Sequence, residues 1–156
     1  MTPAVKALEG AKVRFALHEY AHDARAESYG LEAAEALQLD PALVYKTLLA
    51  QLDGKELVVA IVPVANSLNL KALAKTARAK RAALANPDEA QRSSGYVLGG
   101  ISPFGQKKSL RTFVDDSVLA RAQVHVSGGR RGLEIEIAPG DLIAVTRATV
   151  AAIATR

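Results

Sequence analysis

Lys46 stands in Val44-Tyr45-Lys46-Thr47-Leu48, inside a run that alternates as a strand from Val44 to Leu52. A period of two puts Val44, Lys46, Leu48, Ala50 and Leu52 on one face. That face is otherwise apolar, so the ammonium must reach solvent, find a carboxylate or stand in a polar pocket. The first is the ordinary use of a lysine near a strand start: the stem covers apolar surface and the head stays wet. The last would make it a site residue with a perturbed proton affinity. The opposite face, with Tyr45, Thr47, Leu49 and Gln51, is more mixed.

Two glycine-rich segments are the next candidates. In Gly99-Gly100-Ile101-Ser102-Pro103-Phe104-Gly105, paired glycines permit positive φ and close approach of backbone to a ligand. Successive exposed N–H groups there could form an anion-binding nest, or the segment could be a plain surface turn. Ser127-Gly128-Gly129-Arg130-Arg131-Gly132 follows an apolar strand ending at Val126 and offers a hydroxyl, backbone donors and two guanidinium groups. It lacks the Gly-Lys-Ser/Thr ending of a nucleotide-binding P-loop.

Other chemistries are poorly supplied. There is no Cys, which excludes a protein thiol nucleophile, a thiolate metal site and a disulfide framework. His18 and His22 are spaced across an expected strand end, not along a helix, and His125 lies in another strand as an expected structural residue. No metal site and no cofactor are therefore expected. A Gly-x-Ser-x-Gly elbow is absent, which argues against a Ser-His-Asp hydrolase.

These groups need a scaffold. The 156 residues suit one domain with a core built from Ala, Val, Leu and Ile, since there are three Phe, four Tyr and no Trp. No apolar h-region opens the chain. The longest apolar stretch, Leu57 to Ala65, is too short to span a bilayer. The net charge of +4 favours a polyanionic partner. It gathers at Arg78, Lys80 and Arg81, at Lys107, Lys108 and Arg111, and at Arg130 and Arg131, as either solvated loops or a phosphate-facing surface.

Thr2-Pro3 starts a short helix to about Glu9. The alternation of Val13, Phe15 and Leu17 predicts a strand, Tyr20 to Glu27 a loop, and Ser28 to Leu37 a helix. Val44 to Leu52 and Glu56 to Pro63 form a hairpin through Asp53-Gly54. Helices follow over Leu70 to Ala77 and from Asn86-Pro87 to about Ser94. Strands are expected at Thr112 to Val114, Gln123 to Val126 and Leu133 to Ile137. A helical segment over Pro139 to Val145 and a short closing element over Thr149 to Ile153 complete the chain. The prediction is a mixed α+β domain, residues 1–156, with a largely antiparallel, curved or barrel-like sheet and surrounding helices.

Taken in order, the segments resemble the YbaK family over nearly the whole chain. The matching pieces are Thr2-Pro3-Ala4-Val5; His18, Tyr20 and His22-Asp23; Val44-Tyr45-Lys46-Thr47-Leu48; Pro63-Val64; and Ala90-Gln91-Arg92-Ser93 with Gly95-Tyr96. Gly99-Gly100-Ile101-Ser102-Pro103, Gly105-Gln106-Lys107-Lys108, Ser127-Gly128-Gly129 and Gly132-Leu133 complete the set.

The resemblance implies a cytoplasmic deacylase that clears Cys mischarged onto tRNA(Pro), with Cys-tRNA(Cys) as a further candidate substrate. It also implies a fold shared with the insertion domain of bacterial prolyl-tRNA synthetases, and transient association with prolyl-tRNA synthetase to gain tRNA selectivity. It makes Lys46 the central residue. Tyr20, Thr47 and Ser127 are implied to shape the pocket; Gly99, Gly100, Ile101 and Ser102 to line it; and Gly128, Gly129, Tyr29 and Glu134 to contribute. Relatives carry Asp at the position of Glu134 and Phe at that of Tyr29. The resemblance also implies that the substrate's own thiol is the attacking group. An ester carbonyl under attack needs its oxyanion stabilised, and Gly99, Gly100 and the 127–129 turn are candidate backbone donors. Rival expectations are a sibling enzyme clearing Ala or Ser, a non-catalytic module docking on tRNA or a synthetase, and a small-molecule binder.

Overall fold

The computed structural model describes residues 1–26 and 28–156; Glu27, expected at the end of a loop, lies outside them. Helix α1 (Pro3–Ala11) begins where Thr2 Oγ1 accepts from the Val5 amide, and strand β1 (Phe15–Glu19) follows. Helix α2 (Tyr29–Ala36) is capped by Ser28, whose hydroxyl accepts from the Leu31 amide. Strands β2 (Tyr45–Leu52) and β3 (Glu56–Pro63) form the expected hairpin, with Asp53 and Gly54 both at positive φ. After them come α3 (Leu70–Ala77), β4 (Ala82–Leu84), α4 (Pro87–Ser94), β5 (Thr112–Asp115), β6 (Val124–Ser127), β7 (Leu133–Ile137), α5 (Pro139–Thr146) and β8 (Thr149–Ala151).

The strands form two sheets, ordered β1-β7-β6 and β4-β2-β3-β5-β8. Pairing is antiparallel except at β3–β5 and β5–β8, which are parallel. The barrel-like expectation is corrected here: the two sheets do not close into a barrel. A single parallel bridge, Val44 to His125, links the start of β2 to β6. The parallel crossovers between β3, β5 and β8 route the chain through helices instead of round a continuous ladder.

β3 occupies the centre of the larger sheet and is buried on both faces, which explains its unbroken apolar run. Val59 and Ile61 join the main core between the sheets, with Leu8, Tyr45, Val126, Ile135, Ile137 and Leu142. Val58, Ala60 and Val62 face a second cluster with Leu73 and Ala77 of α3, Phe113 and Ile153. No described helix is long and apolar enough to cross a membrane.

Asp115 ties the end of the chain to this frame. Its carboxylate is fully buried and accepts from the amides of Ile153 (3.0 Å), Ala154 (2.9 Å) and Ser117 (3.2 Å). Burial alone would raise its pKa. The hydrogen bonds from Ser117, Ala154 and Ile153 outweigh that and hold the group below the usual carboxylate range. Asp115→Ala would orphan several buried amides and is expected to cost about 2–4 kcal/mol, checked by urea unfolding at neutral pH. Because the folded pKa is depressed, this contribution is present above the unfolded value near 3.8 and fades as pH falls through the lower folded value.

Candidate functional site

A cavity of about 410 Å³ opens beside the first half of β2, beyond the reach of β4. β4 pairs only with Ala50–Leu52, so the edge of β2 from Tyr45 to Leu48 is uncovered by it. The phase of the ladder is set by the Val64 amide donating to the Val44 carbonyl at 2.7 Å. Even-numbered residues of β2 therefore bond toward β3, and odd-numbered ones point outward. Leu49 conforms: its carbonyl accepts from the Ala85 amide at 3.0 Å. Thr47 thus presents its backbone N–H and C=O at the open edge, and among the described residues its buried Oγ1 has no hydrogen-bond partner.

The cavity is lined by Val44 through Leu49, by Ser28, Tyr29 and Gly30, by Leu84, Ala85, Pro87 and Ala90, and by Leu98, Gly99, Ile101, Ser127 and Glu134. Lys46 is half-buried and is the one cation among these described lining residues. Its side chain makes no ion pair within the described residues, and burial pushes its ammonium below the usual lysine range. Leu48, Ala50 and Leu52, on its face of the strand, pack toward α3. Lys46 stands ahead of them, at the strand start.

Glu134 is the other ionisable lining group besides Tyr29, Tyr45 and Lys46. It is 6% exposed, its Oε2 has no partner among the described residues, and burial pushes its pKa up to about 8. Its carboxyl is therefore mostly neutral at pH 7, a donor as well as an acceptor. Since the folded pKa lies above the ordinary value of 4.5, the folded state retains a proton that the unfolded chain has lost. The wild type should lose stability as pH rises from about 4.5 to 8 through this group. Glu134→Gln removes that component. Melting of the variant relative to wild type is expected to improve steadily between pH 5 and 8; a constant difference would show that Glu134 ionises freely.

Tyr29 is held from three sides. Arg131 lies over its ring, 4.7 Å from the centroid, while Arg131 Nε donates to the Leu98 carbonyl at 2.7 Å. The His22 ring is 6.0 Å away and is itself anchored, Nδ1 to Glu32 Oε1 at 2.8 Å. Gly99 presses on the other face: at φ +82, a Cβ there would fall 2.5 Å from Tyr29 Cγ. A Cβ on Gly100 would likewise fall 2.8 Å from Arg130 Cα, so the 99–101 turn lies directly on the 130–131 turn.

Of the expected site residues, Lys46, Thr47, Tyr29, Gly99, Ile101, Ser127 and Glu134 come together in the lining. Tyr20, Gly100, Ser102, Gly128 and Gly129 are not part of it. Tyr20 stands close by: its phenol is raised first by burial and next by the charge of Glu134. Ser102 is fully buried and accepts from the Phe104 amide at 3.3 Å. The expected set of oxyanion donors shrinks. The Gly100 amide donates to Val97 O (2.9 Å), that of Gly128 to Leu133 O (2.8 Å) and that of Gly129 to Ser127 Oγ (3.2 Å). Among those glycines, Gly99 alone has an amide with no acceptor in the described residues, and the Thr47 edge amide is the donor the spacing did not single out. Leu84, Ala85, Pro87 and Ala90 were also missed: β4 carries no alternation to announce it, and the expected helix from Asn86-Pro87 gave no sign that it lies beside β2.

The basic clusters divide in use. Arg111 is spent on Glu56, at 2.9 and 3.0 Å, and Arg131 on Tyr29 and Leu98. Arg78, Lys80, Arg81, Lys107 and Lys108 remain exposed.

Three comparisons bear on this geometry. The model for the aminoacyl-tRNA editing domain matches residues 26–145. The chain is 32% identical over 158 residues, covering 99% of it and 94% of the other, to EbsC of Enterococcus faecalis, named as a candidate Cys-tRNA(Pro)/Cys-tRNA(Cys) deacylase. Among solved structures, it superposes on a hypothetical protein designated APE2540 with a TM-score of 0.87 at 23% identity, covering 98% of this chain and 99% of that one. It superposes on a candidate trans-editing enzyme for prolyl tRNA synthetase with a TM-score of 0.82 at 22% identity, covering 100% and 99%.

Proposed function

Because the chain belongs to the aminoacyl-tRNA editing domain family, we propose that it is a deacylase that removes mischarged Cys from tRNA(Pro) in the Lys46 cavity. The observation that carries this reading is a half-buried lysine with no ion-pair partner among the described residues, set beside unpartnered donors in a small, mostly apolar cavity. An aminoacyl ester is already activated, so the protein need only orient it and meet the charge that develops on its carbonyl oxygen.

In this account the Cys side chain enters against Leu48, Leu49, Ala90 and Ile101, and the terminal nucleotide stays at the mouth. The substrate sulfur attacks its own carbonyl carbon. A carbon–sulfur bond forms, the ester bond to the terminal ribose breaks, and the thiol proton ends on the ribose hydroxyl. The products are free tRNA and a cyclic thioester that water later opens. Lys46 supplies the positive charge for the developing oxyanion, and the Thr47 and Gly99 amides supply donors. Glu134, neutral at pH 7, adds a hydrogen-bonding group without opposing that charge.

Prolyl-tRNA synthetase, bound transiently, would bring the tRNA selectivity that the exposed lysines and arginines alone do not encode. A panel of Cys-, Ala- and Ser-charged tRNAs, with and without that synthetase, tests the reading. Fast loss of Cys alone is expected. Faster loss of Ala or Ser would instead make the protein a sibling editing enzyme.

A further inference from the structure

The structure assigns a second site on the smaller sheet: His18, His125 and Glu136 form a three-ligand site for a divalent transition-metal cation of the zinc type. The sheet register makes the cluster. His125 on β6 lies directly across from Glu136 on β7, and Glu136 lies across from Ala16, two positions before His18 on β1. All three side chains therefore share the face turned away from Ile135, Ile137 and Val126 of the core. Diagonal neighbours on one face are within reach of long side chains.

One donor atom from each of the three lies within 4.8 Å of the others. His18 Nε2 and Glu136 Oε1 are already 2.7 Å apart. Zinc bound at about 2.0–2.2 Å to imidazole and carboxylate needs donors about 3.4 Å apart in a tetrahedral site. Small rotations of His18 and Glu136, both half-exposed, would bring the set to that spacing. Nitrogen and carboxylate donors in this combination suit zinc and its neighbours over magnesium or calcium.

His125 provides the independent observation. It is 6% exposed, and its Nδ1 is buried with no hydrogen-bond partner among the described residues. A buried imidazole normally finds a partner for each ring nitrogen, so an unpartnered buried one is open to a ligand. The histidine spacing gave no expectation of a metal site, since His18 and His125 come together only across β7.

The bound cation would tie β1, β7 and β6 together. Ser127 and Glu134, each two residues along a strand from a ligand, line the neighbouring cavity. The inference stands independently of the deacylase reading.

Calorimetric titration of tag-free, chelator-treated protein with zinc chloride tests it. One zinc per chain is expected, at a dissociation constant of about micromolar or tighter, and cobalt chloride should give a visible d–d absorption that zinc displaces. His18→Ala and Glu136→Gln should each weaken binding at least about tenfold. His22→Ala, whose ring pairs with Glu32, should leave it unchanged. His125→Asn is included, but the two half-exposed variants decide the matter even if it fails to fold. Absence of saturable one-to-one binding, or affinity unmoved by His18→Ala and Glu136→Gln in folded protein, would overturn the assignment.

Discussion

Lys46→Ala is expected to slow deacylation of Cys-tRNA(Pro) by about 100-fold or more, the usual cost of removing a group that meets charge in the transition state. The cavity offers no substitute. Lys46 is the one cation among the described lining residues, and Arg131, the nearest guanidinium to Tyr29, is occupied by the ring and the Leu98 carbonyl. Because the side chain is half-buried with no ion-pair partner among the described residues, its loss should leave the fold intact, with melting close to wild type. The kinetic constants separate its two contacts. A fall in kcat with KM unchanged places the ammonium at the carbonyl, and a rise in KM places it at the terminal nucleotide. Near-normal turnover would remove Lys46 from the mechanism.

Exchanging the substrate Cys for Ser on the same tRNA is the second large effect, a loss of at least about 100-fold in rate. The chain has no cysteine, and among the described residues no histidine lines the cavity to activate a serine or a water. The proposed mechanism therefore has the attacking group arrive with the substrate. A thiol titrates near 8.5 and offers some thiolate at neutral pH, whereas an alcohol offers almost none. Rapid removal of Ser would identify water or a ribose hydroxyl as the attacking group.

Much of the scaffold was legible in residue pattern. Asp53-Gly54 gave the hairpin its turn, Thr2-Pro3 and Asn86-Pro87 marked two helix starts, and the alternation around Lys46 placed β2 to within a residue. The sheet closure was not legible, because strand order depends on which long-range pairs form, and β3–β5 and β5–β8 pair in parallel through distant connections. β4 escaped notice because Ala82-Ala83-Leu84 has no alternation, yet its short length is what leaves the β2 edge open.

For the site, residue type located Lys46 and the resemblance located its neighbours, while neither foresaw which amides were already bonded. The donors of Gly100, Gly128 and Gly129 are consumed by turns that hold the loops in place. Likewise, the alternation on β7 marks Glu134 as a face residue, but only the packed structure shows a carboxyl buried enough to keep its proton at neutral pH. His125 offered no signal, since its neighbours on the sheet face come from β1 and β7.

The most direct test of the central claim is a single-turnover measurement: purified protein in excess over Cys-tRNA(Pro), with release of the amino acid followed in time beside the Lys46→Ala variant. The account predicts rapid release by wild type and release near the spontaneous rate by the variant. Release at the spontaneous rate by both, at every protein concentration and with prolyl-tRNA synthetase present, would contradict it.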